Sequence, residues 1–453
     1  MTINRRSLIG ASLGLGAAVS AAHASERRPT REPATPNASE FSATLIPDER
    51  QDQTAALQAA VDAAAERDIP LVLPPGKFII SDLRLRRGTR LLGSARSTIL
   101  VFSGGTAFVT AEKADGLMLA GLTFDGAYKT FDPARGDGLL ALLNSKNVHL
   151  ADLEIQNSAG TGLSLTECGG RIEGVLISHV LDAGFKSLDS FGLDITGNTV
   201  TECGNNGILI WRSKQEEDGS VVSGNRISKI RNAAGGTGEY GNGINVFRAG
   251  SVLVSGNRIS DCAYTAVRGN ASSNIQIIGN SCERLGEVAL YAEFGFQGAI
   301  IANNLVDTAA CGISVTNFND GGRLAVVQGN LIRNLFRREQ EPEDKRGEGI
   351  GVEADAVVTG NTIENAPTVG IQIGWGAYMR DVAVTGNIVR DARVGISVTN
   401  ALDAGKCLIA NNLISNVKDG AIREMDLGAF KGPDLVREPS ATDRIHITAN
   451  VAV

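Results

Sequence analysis

One short pattern recurs along most of this chain. An asparagine that follows glycine or alanine returns every 23 to 32 residues, and a branched aliphatic residue usually stands two positions after it. The copies are Asn198, Asn225, Asn257, Asn280, Asn303, Asn330, Asn361, Asn387 and Asn411. A second pattern, Gly-aliphatic-x-aliphatic, comes eight or nine residues after most of them, as at 207–210 and 370–373. Such regularity predicts one structural unit stacked many times.

The length of the repeat selects the kind of unit. Short β-type runs with no helical segment between them predict one coil of three short strands per repeat. Leucine-rich repeats would show leucines at fixed offsets, and propeller blades need about 40 residues. About a dozen coils stacked at ~4.8 Å would span roughly 55–60 Å. The prediction is therefore an all-β fold, a single-stranded right-handed parallel β-helix over residues 47–453.

The asparagine column is predicted to be structural. A turn asparagine can hydrogen-bond with the asparagine of the next coil, and a stack of them forms a ladder. We therefore expect these side chains to hold the turns together and to take no part in chemistry.

A single helix is predicted in front of the repeats, at about 52–68. Asp52 is placed to cap it, and one stripe of the helix is apolar. The stripe consists of Leu57, Ala60, Val61, Ala64 and Ala65. Such a helix would cover the open end of the first coil, which otherwise presents unpaired strand edges.

Residues 1–24 are predicted to be a twin-arginine signal peptide. Arg5-Arg6 opens a basic region, an apolar run follows, and Ala22-His23-Ala24 supplies a cleavage site. The apolar run is shorter than the ~20 residues of a spanning helix, so no stable membrane span is expected. Residues 25–46 predict a flexible linker. The mature chain is thus expected to be periplasmic or secreted, with the twin-arginine translocase as its partner during export.

The net charge argues against a nucleic-acid-binding protein, and the cysteine spacing argues against disulfides. The formal net charge is −7, and it becomes −9 without residues 1–24, which hold two arginines and no acid. An acidic chain without basic tracts is a poor nucleic-acid binder. The cysteines lack metal-site spacing and mostly lie beside inward-facing positions, which favours buried free thiols over disulfides. They are Cys168, Cys203, Cys262, Cys282, Cys311 and Cys407.

A resemblance to known proteins rests on two segments. Residues 52–78, DQTAALQAAVDAAAERDIPLVLPPGKF, are similar to the N-terminal capping region of many pectin-lyase-fold proteins, and the coils after them resemble their β-helix repeats. Together with Arg5-Arg6, the chain resembles a family of twin-arginine-translocated β-helix repeat proteins of unassigned function. This resemblance implies the fold and no particular chemistry.

Comparison with polygalacturonases argues against the hydrolytic activity of those enzymes. Residues 136–158 are similar to the pre-catalytic coil of those enzymes, which then carry an NTD segment, a DD pair, a GHG and an RIK. Here only Asp182 is kept, Asn205-Asn206 replaces two carboxylates, and no GHG or RIK exists. Hydrolysis needs a proton donor and an activating base, and two amides supply neither. Residues 131–137 are also similar to the Asp-Pro-His stretch of β-helix uronan epimerases, but Ala134 replaces the histidine.

Alternation along the Gly-aliphatic-x-aliphatic strands predicts two exposed columns of side chains. The column two positions after glycine reads Lys186, Leu209, Asn245, Arg268, Tyr291 and Ser314. The column four positions after glycine reads Trp211, Phe247, Asn270, Glu293, Thr316 and Glu353. Insertions at 213–220, 231–242 and 336–348 lie beside these strands and are typical of loops that wall a binding surface.

Candidate site residues follow from the two columns. Glu293, Tyr291, Arg268 and Glu353 are the catalytic candidates, and Trp211, Phe247, Arg248 and Trp375 are the substrate-binding candidates. Two coils place the backbones of Glu293 and Glu353 ~9.6 Å apart, near the upper end used by inverting glycosidases. Arg268 or Tyr291 could instead abstract a proton in a lyase or epimerase. The alternative is that Glu293 pairs with a loop arginine on a solvated face.

No metal or cofactor is expected. GGTGEY is similar to one calcium-binding repeat of β-helices but occurs once, with Glu239 where aspartate is wanted. Three aspartates that could surround a cation lie in ordinary turn sequences, namely Asp125, Asp132 and Asp137. Three histidines lie in separate coils without ligand spacing, namely His149, His179 and His446.

Two function classes remain open. Aromatic rings stack on sugar faces, while arginine and glutamate read hydroxyls or carboxylates. One class is an exported protein that binds or acts on a polysaccharide or oligosaccharide, as a lyase, epimerase or hydrolase, in a groove on one sheet face. The other is a non-catalytic envelope scaffold that binds glycan or protein.

Overall fold

The computed structural model describes residues 45–236, 238–338, 347–438 and 443–453, and these form a parallel β-helix of about 15 coils. Each coil contributes strands to three faces, and almost all strand pairs are parallel. The predicted all-β fold with one N-terminal helix is therefore confirmed. The number of coils exceeds the expected dozen, because the coils before Asn198 lack the asparagine pattern by which repeats were counted.

The first face is a sheet of 15 strands. Its strands are Leu71–Val72, Arg90–Leu92, Met118–Ala120, Val148–Ala151, Gly170–Glu173, Asp194–Thr196, Val221–Ser223, Leu253–Ser255, Ile275–Ile278, Gln297–Ala302, Arg323–Gln328, Ala356–Thr359, Val382–Thr385, Cys407–Ala410 and Ile445–Thr448.

The second face follows the first within each coil. Its strands are Asp48–Asp52, Gly76–Ile80, Thr98–Phe102, Thr123–Asp125, Glu154–Ser158, Leu176–Val180, Thr199–Cys203, Arg226–Ile230, Arg258–Cys262, Ser281–Leu285, Leu305–Asp307, Leu331–Arg333, the first part of Thr362–Ile373, the first part of Ile388–Thr399, Leu413–Ser415 and Val451–Ala452.

The third face carries the Gly-aliphatic-x-aliphatic strands. They are Leu83–Leu85, Val109–Glu112, Leu140–Leu143, Leu163–Thr166, Ala183–Leu188, Asn206–Glu217, Asn242–Gly250, Val267–Asn270, Val288–Glu293, Cys311–Thr316, Glu348–Val352, the second parts of Thr362–Ile373 and Ile388–Thr399, and Ile422–Asp426. An antiparallel strand, Ala429–Asp434, pairs with the last of them. Because two strands continue round the corner, the second and third faces join into one sheet.

The single helix in the described part of the chain runs from Thr54 to Glu66. It buries Leu57, Val61 and Ala64, as the apolar stripe predicted. The Thr54 N–H donates to Asp52 Oδ1 at 2.9 Å, so Asp52 satisfies one of the free amides at the helix start. The helix is two residues shorter at each end than predicted.

An asparagine ladder occupies the turn between the first and second faces. Each Nδ2 amide donates to the Oδ1 of the next rung at 2.9 to 3.0 Å. The rungs are Asn198, Asn225, Asn257, Asn280, Asn304, Asn330, Asn361, Asn387, Asn412 and Asn450. The predicted ladder is confirmed, but Asn303 and Asn411 were the wrong members. Both have a φ near 56°, a left-handed position that glycine fills in most other coils.

The interior is filled by aliphatic side chains, with phenylalanines near the N-terminal end. Phe108 contacts both Phe102 and Phe124, with ring centroids 5.1 and 6.2 Å apart. All six cysteines are buried, as predicted. Burial raises the pKa of the Cys168 thiol to about 11, which leaves it protonated and unreactive at neutral pH.

The predicted signal peptide at 1–24 and nearly all of the predicted linker lie outside the described residues. Leu45, at the end of that expected linker, is buried in the core. No helix within the described ranges is long and apolar enough to cross a membrane.

Candidate functional site

The strand register places the predicted columns on the third face. Arg268 pairs with Tyr291, and Tyr291 pairs with Ser314. In the neighbouring column Asn270, Glu293 and Thr316 follow one another in successive coils. The alternation read from the sequence therefore assigned these residues to the correct face and order.

A cavity of about 650 Å³ opens where the first of these columns carries small residues. Ser314 and Gly351 follow Tyr291 in register, and Gln372 comes after them. Two small residues between two large ones leave a depression in the sheet surface. We call this depression, with the residues lining it, the third-face cavity.

Aromatic side chains line much of the third-face cavity. They are Tyr291, Phe294, Phe318, Trp375 and Tyr378. Phe318 and Tyr378 stack with ring centroids 5.5 Å apart. The backbones of Trp375 and Tyr378 hydrogen-bond to each other, so a tight turn fixes both rings at one rim.

Four carboxylates also line the third-face cavity, namely Glu287, Asp320, Glu348 and Glu353. Glu353 Oε2 accepts the backbone N–H groups of Asn317 and Phe318 at 2.8 and 2.9 Å. Burial raises the pKa of the Glu353 carboxyl, and the two N–H donors offset the rise only in part. Both of these hydrogen bonds go to Oε2, and none within the described residues reaches Oε1.

Glu348 lies on the same strand as Gly351. Its side chain is buried, with the whole residue 7% exposed. A Cβ placed on Gly351 would lie 3.7 Å from Glu348 Oε2, so the Glu348 carboxylate lies beside the cavity floor.

Arg268 and Glu293 form a pair behind Tyr291. Arg268 Nε donates to Glu293 Oε1 at 2.6 Å, and Asn270 Nδ2 donates to the same oxygen at 2.8 Å. The Arg268 guanidinium lies 5.4 Å from the centroid of the Tyr291 ring. Burial raises the pKa of the Tyr291 phenol, and the charge of Glu293 adds to the rise. This network holds Tyr291 in place as a protonated phenol.

Only two of the four catalytic candidates line the third-face cavity. Tyr291 and Glu353 line the third-face cavity, whereas Glu293 and Arg268 do not. The Glu293 side chain is 2% exposed and that of Arg268 is 14% exposed. The structure therefore brings only Tyr291 and Glu353 together at this cavity, because the ion pair turns Glu293 toward Arg268 and Asn270. Glu293 does pair with an arginine, but the partner is Arg268 of the neighbouring strand and not a loop arginine, and the pair is buried and not solvated.

The substrate-binding candidates are divided as well. Trp375 lines the third-face cavity, but Trp211, Phe247 and Arg248 form a separate cluster. Trp211 and Phe247 have ring centroids 6.0 Å apart, and the Arg248 guanidinium lies 4.7 Å from the Phe247 ring. Beyond Trp211 the strand Asn206–Glu217 runs past its neighbours, and Gln215 Nε2 donates to the Gly295 carbonyl at 2.9 Å.

The 231–242 insertion covers the middle of the third face. The Glu239 carbonyl accepts from Asn206 Nδ2 at 3.1 Å, and the Gly236 carbonyl accepts from Tyr264 Oη at 3.1 Å. Asn245 is only 5% exposed in consequence. None of the residues that line the third-face cavity belongs to this insertion. Most of the 336–348 insertion lies outside the described residues.

The aspartates considered for a cation have protein partners. Asp125 accepts from Ala127 N, Gln156 Nε2 and Asn157 Nδ2 at 2.9 to 3.0 Å. Asp132 accepts from Ala134 N, and Asp137 pairs with Lys186. In the part of the chain that the structure describes, no three His, Cys, Asp or Glu residues form a metal-binding group.

Several lining residues were missed from the sequence. Glu348 comes directly before the strand glycine Gly349, and Glu287 comes directly before the strand that begins at Val288. Neither position was assigned to an exposed column. Asp320, Phe318 and Tyr378 lie in turns between the third and first faces, where no periodicity applies. The one available signal was Gly351, since a glycine in an exposed strand column indicates a close approach or a gap.

Comparison with known proteins places the chain in a family. The family described as right handed beta helix region matches residues 123–227 and 215–387, which is more than half of the chain. The chain therefore belongs to the right-handed β-helix family, and the predicted handedness is confirmed. No curated protein sequence matches the chain significantly.

Solved structures share this fold at low identity. Gene product 12 of bacteriophage phi29 matches at a TM-score of 0.47 and 15% identity, over 86% of this chain and 57% of that one. An α-1,3-glucanase catalytic unit from Streptomyces thermodiastaticus matches at 0.47 and 15%, over 91% and 68%. The adhesin PfbA of Streptococcus pneumoniae matches at 0.44 and 13%, over 85% and 92%. The likeness extends to the fold alone, and the chain spans little more than half of the phage protein.

Proposed function

We propose that this protein binds a polysaccharide in the third-face cavity and hydrolyses one of its glycosidic bonds. The observation that supports it is the combination of aromatic walls with two glutamates, the buried Glu348 at the start of the strand Glu348–Val352 and the half-buried Glu353 directly after its end. Aromatic rings take the apolar faces of sugars, and a pair of carboxyl groups is what glycoside hydrolysis requires. A volume of about 650 Å³ is in the usual range for a ligand site.

Glu353 is the proposed general acid. Its raised pKa keeps a larger fraction protonated near neutral pH, as the acid of a glycosidase requires. In the proposed step, Glu353 gives its proton to the glycosidic oxygen as the bond to the anomeric carbon breaks. The electron pair of that bond leaves with the departing sugar.

Glu348 is the proposed base. Its Oε2 lies 3.7 Å from where a Cβ on Gly351 would stand, and Gly351 is two positions before Glu353 in the chain. An inverting hydrolase needs room for a water molecule between its two carboxyl groups. Glu348 would take a proton from that water as its oxygen attacks the anomeric carbon.

Lyase or epimerase chemistry has less support at this site. Both reactions abstract a proton beside a uronate carboxylate, whose charge a cationic group would have to balance. Among the described residues that line the third-face cavity there is no lysine, arginine or histidine. Arg268, the former candidate for this role, is held behind Tyr291 by Glu293.

A Glu353→Gln variant tests the proposal. Glutamine keeps an oxygen that can accept from Asn317 and Phe318, so the fold should persist, but it cannot donate a catalytic proton. A panel of glycans first identifies one that the wild-type protein cleaves. We expect hydrolysis of that glycan by Glu353→Gln, measured as new reducing ends, to fall by about 10²- to 10⁴-fold while binding survives. Glu112→Gln, on the same face but outside the cavity, is the control and should retain full activity.

The pH profile of the same reaction has a defined direction. Because burial raises the pKa of Glu353, activity should decline as pH rises through that raised value. Glycan binding without any product by the wild-type protein would instead indicate a non-catalytic scaffold. Unchanged turnover in Glu353→Gln would remove Glu353 from the mechanism.

Export by the twin-arginine pathway is also proposed. It rests on Arg5-Arg6, the apolar run and the Ala-His-Ala site in the sequence. A polysaccharide substrate outside the cytoplasm suits that destination, and the translocase would then be a transient partner.

A further inference from the structure

We infer that two copies of this chain associate through their first faces, about a two-fold axis that runs parallel to the β-helix axis. The third-face cavity lies elsewhere on each coil, so this inference does not depend on the proposed function. It is carried by the composition, the shape and the charges of the side chains that point outward from the first face.

An uncharged strip runs along more than half of the first face. Two columns of outward side chains continue in register through eight strands, one from Val221 to Leu408 and the other from Ser223 to Ala410. We call these sixteen residues the first-face strip, and none of them is charged. A surface of which about 25–35% is charged would place about four charges among them. Ile300 and Val357 are each 40% exposed, and a continuous exposed apolar patch marks an interaction site.

The two columns of the strip differ in side-chain size. The column that begins at Val221 forms a ridge, and its largest aliphatic side chains are Leu253, Ile300, Val326, Val357 and Leu408. The column that begins at Ser223 forms a shallow groove, since all its members except Ile278 and Gln328 are serine, threonine or alanine. A two-fold axis parallel to the β-helix axis and midway between the columns places each ridge over the partner's groove. The strip is therefore complementary to itself, whereas an antiparallel pair would place ridge on ridge.

The charged residues next to the strip fit the same axis. Toward the N-terminal end, the Val221 column continues with Asp194 and Arg171, and the Ser223 column continues with Thr196 and Glu173. Arg171 and Glu173 thus lie in one coil, one in each column. Their side chains are 56% and 40% exposed, so both can reach a second chain. The two-fold axis places Arg171 opposite the partner's Glu173, and Glu173 opposite the partner's Arg171, and opposite charges across an interface fix its orientation.

The area of the first face is sufficient for a stable dimer. Its twelve strands from Met118–Ala120 to Cys407–Ala410 span ~58 Å at ~4.8 Å a strand. Two columns ~7 Å apart are ~12 Å wide when their side chains are included. Pairing would therefore cover ~700 Å² of each copy and ~1,400 Å² in total, which is within the usual size of a specific protein interface.

Sedimentation velocity of the full chain from ~1 to ~100 μM tests the association. We expect a species of twice the 47.3 kDa chain mass. Val357→Lys places a charge within the strip at a partly exposed position, so the fold should persist while the dimer dissociation constant rises at least about 100-fold. Leu143→Lys is the control, since Leu143 lies on the third face and is 42% exposed, and it should leave the association unchanged. Thermal melting verifies that both variants are folded.

A charge exchange tests the orientation of the two copies. Arg171→Glu places carboxylates opposite each other across the two-fold axis, and Glu173→Arg places guanidinium groups opposite each other. Each variant alone should weaken the dimer about tenfold at low salt. The double variant restores opposite charges and should return to within about threefold of the wild-type dissociation constant. Losses that instead add in the double variant would overturn the parallel two-fold arrangement.

The remaining outcomes decide between occupants of the strip. A chain that stays monomeric up to ~100 μM, or a dimer that Val357→Lys and Leu143→Lys weaken equally or not at all, would overturn the inference. A monomer that sediments with vesicles of phosphatidylethanolamine and phosphatidylglycerol, and does so less in Val357→Lys, would assign the strip to a lipid surface and also overturn it. A dimer that responds to these variants as expected supports the inference even where no glycan is cleaved, so its failure and that of the proposed function are distinguishable.

Discussion

At the scale of single residues, neighbouring asparagines have different roles in this fold. In the Asn303-Asn304 pair, Asn304 is buried and exchanges hydrogen bonds with Asn280 and Asn330. Asn303 instead adopts a left-handed backbone conformation at φ 56°. The sequence pattern alone selected Asn303, because alanine precedes it where glycine precedes most of the others.

Substitution of each asparagine should separate these roles. Asn304→Ala leaves buried amide and carbonyl groups of two coils without partners, which costs about 1–3 kcal/mol of unfolding free energy. Asn303→Gly suits the left-handed position and should change stability by less than about 0.5 kcal/mol. Urea denaturation measures both. A larger loss in Asn303→Gly than in Asn304→Ala would contradict the assignment.

At the scale of strands, the third-face cavity is a consequence of side-chain size in one column. Tyr291 and Gln372 stand on either side of Ser314 and Gly351. The gap needs no unusual backbone conformation. It arises because Ser314 carries only a hydroxymethyl group and Gly351 only a hydrogen. The cavity can therefore be closed by one substitution in the strand Glu348–Val352.

Gly351→Leu should abolish glycan binding without unfolding the protein. A Cβ at this position meets only Glu348 Oε2, at 3.7 Å, so the new side chain can extend into the cavity. Thr110→Leu puts the same side chain at the same register near the N-terminal end of the face and is the control. Calorimetric titration and thermal melting test the pair. Retained affinity in Gly351→Leu would place the binding site elsewhere.

Strand register could be predicted from the sequence, whereas the site could be predicted only in part. Period-two alternation in parallel strands determines which residues share a column, and so the order Arg268, Tyr291, Ser314 was correct. Alternation does not determine where a long side chain ends. The Glu293 carboxylate turns to Arg268 and away from the cavity, and Gln215 reaches Gly295 across 80 residues of sequence. Such contacts depend on side-chain conformation and on how far a strand extends, as in Asn206–Glu217, and alternation specifies neither.

At the scale of the whole molecule, the fold bears on how the protein would be exported. A parallel β-helix is built from contacts between residues a full coil apart, and such non-local structures fold slowly. Folding before translocation protects the strand edges meanwhile, and the twin-arginine pathway carries folded proteins. The paired arginines of the sequence are consistent with this requirement.

Replacing Arg5-Arg6 by Lys-Lys tests the export proposal. The arginine pair is the signal that the translocase reads, so the variant should accumulate in the cytoplasm as unprocessed precursor. Fractionation of cells expressing the full chain, with immunoblotting, measures both location and size. Normal processing and export of the Lys-Lys protein would contradict the proposal, and a Lys77→Arg variant serves as an unrelated basic substitution.

The most direct test of a glycan site in the third-face cavity uses the only two tryptophans of the chain. Trp375 lines the cavity, whereas Trp211 packs against Phe247 outside it. Titration with a glycan that the wild-type protein binds should give a saturable change in tryptophan emission in the wild-type protein and in Trp211→Phe. It should give no change in Trp375→Phe. A response that persists in Trp375→Phe and disappears in Trp211→Phe would contradict the account.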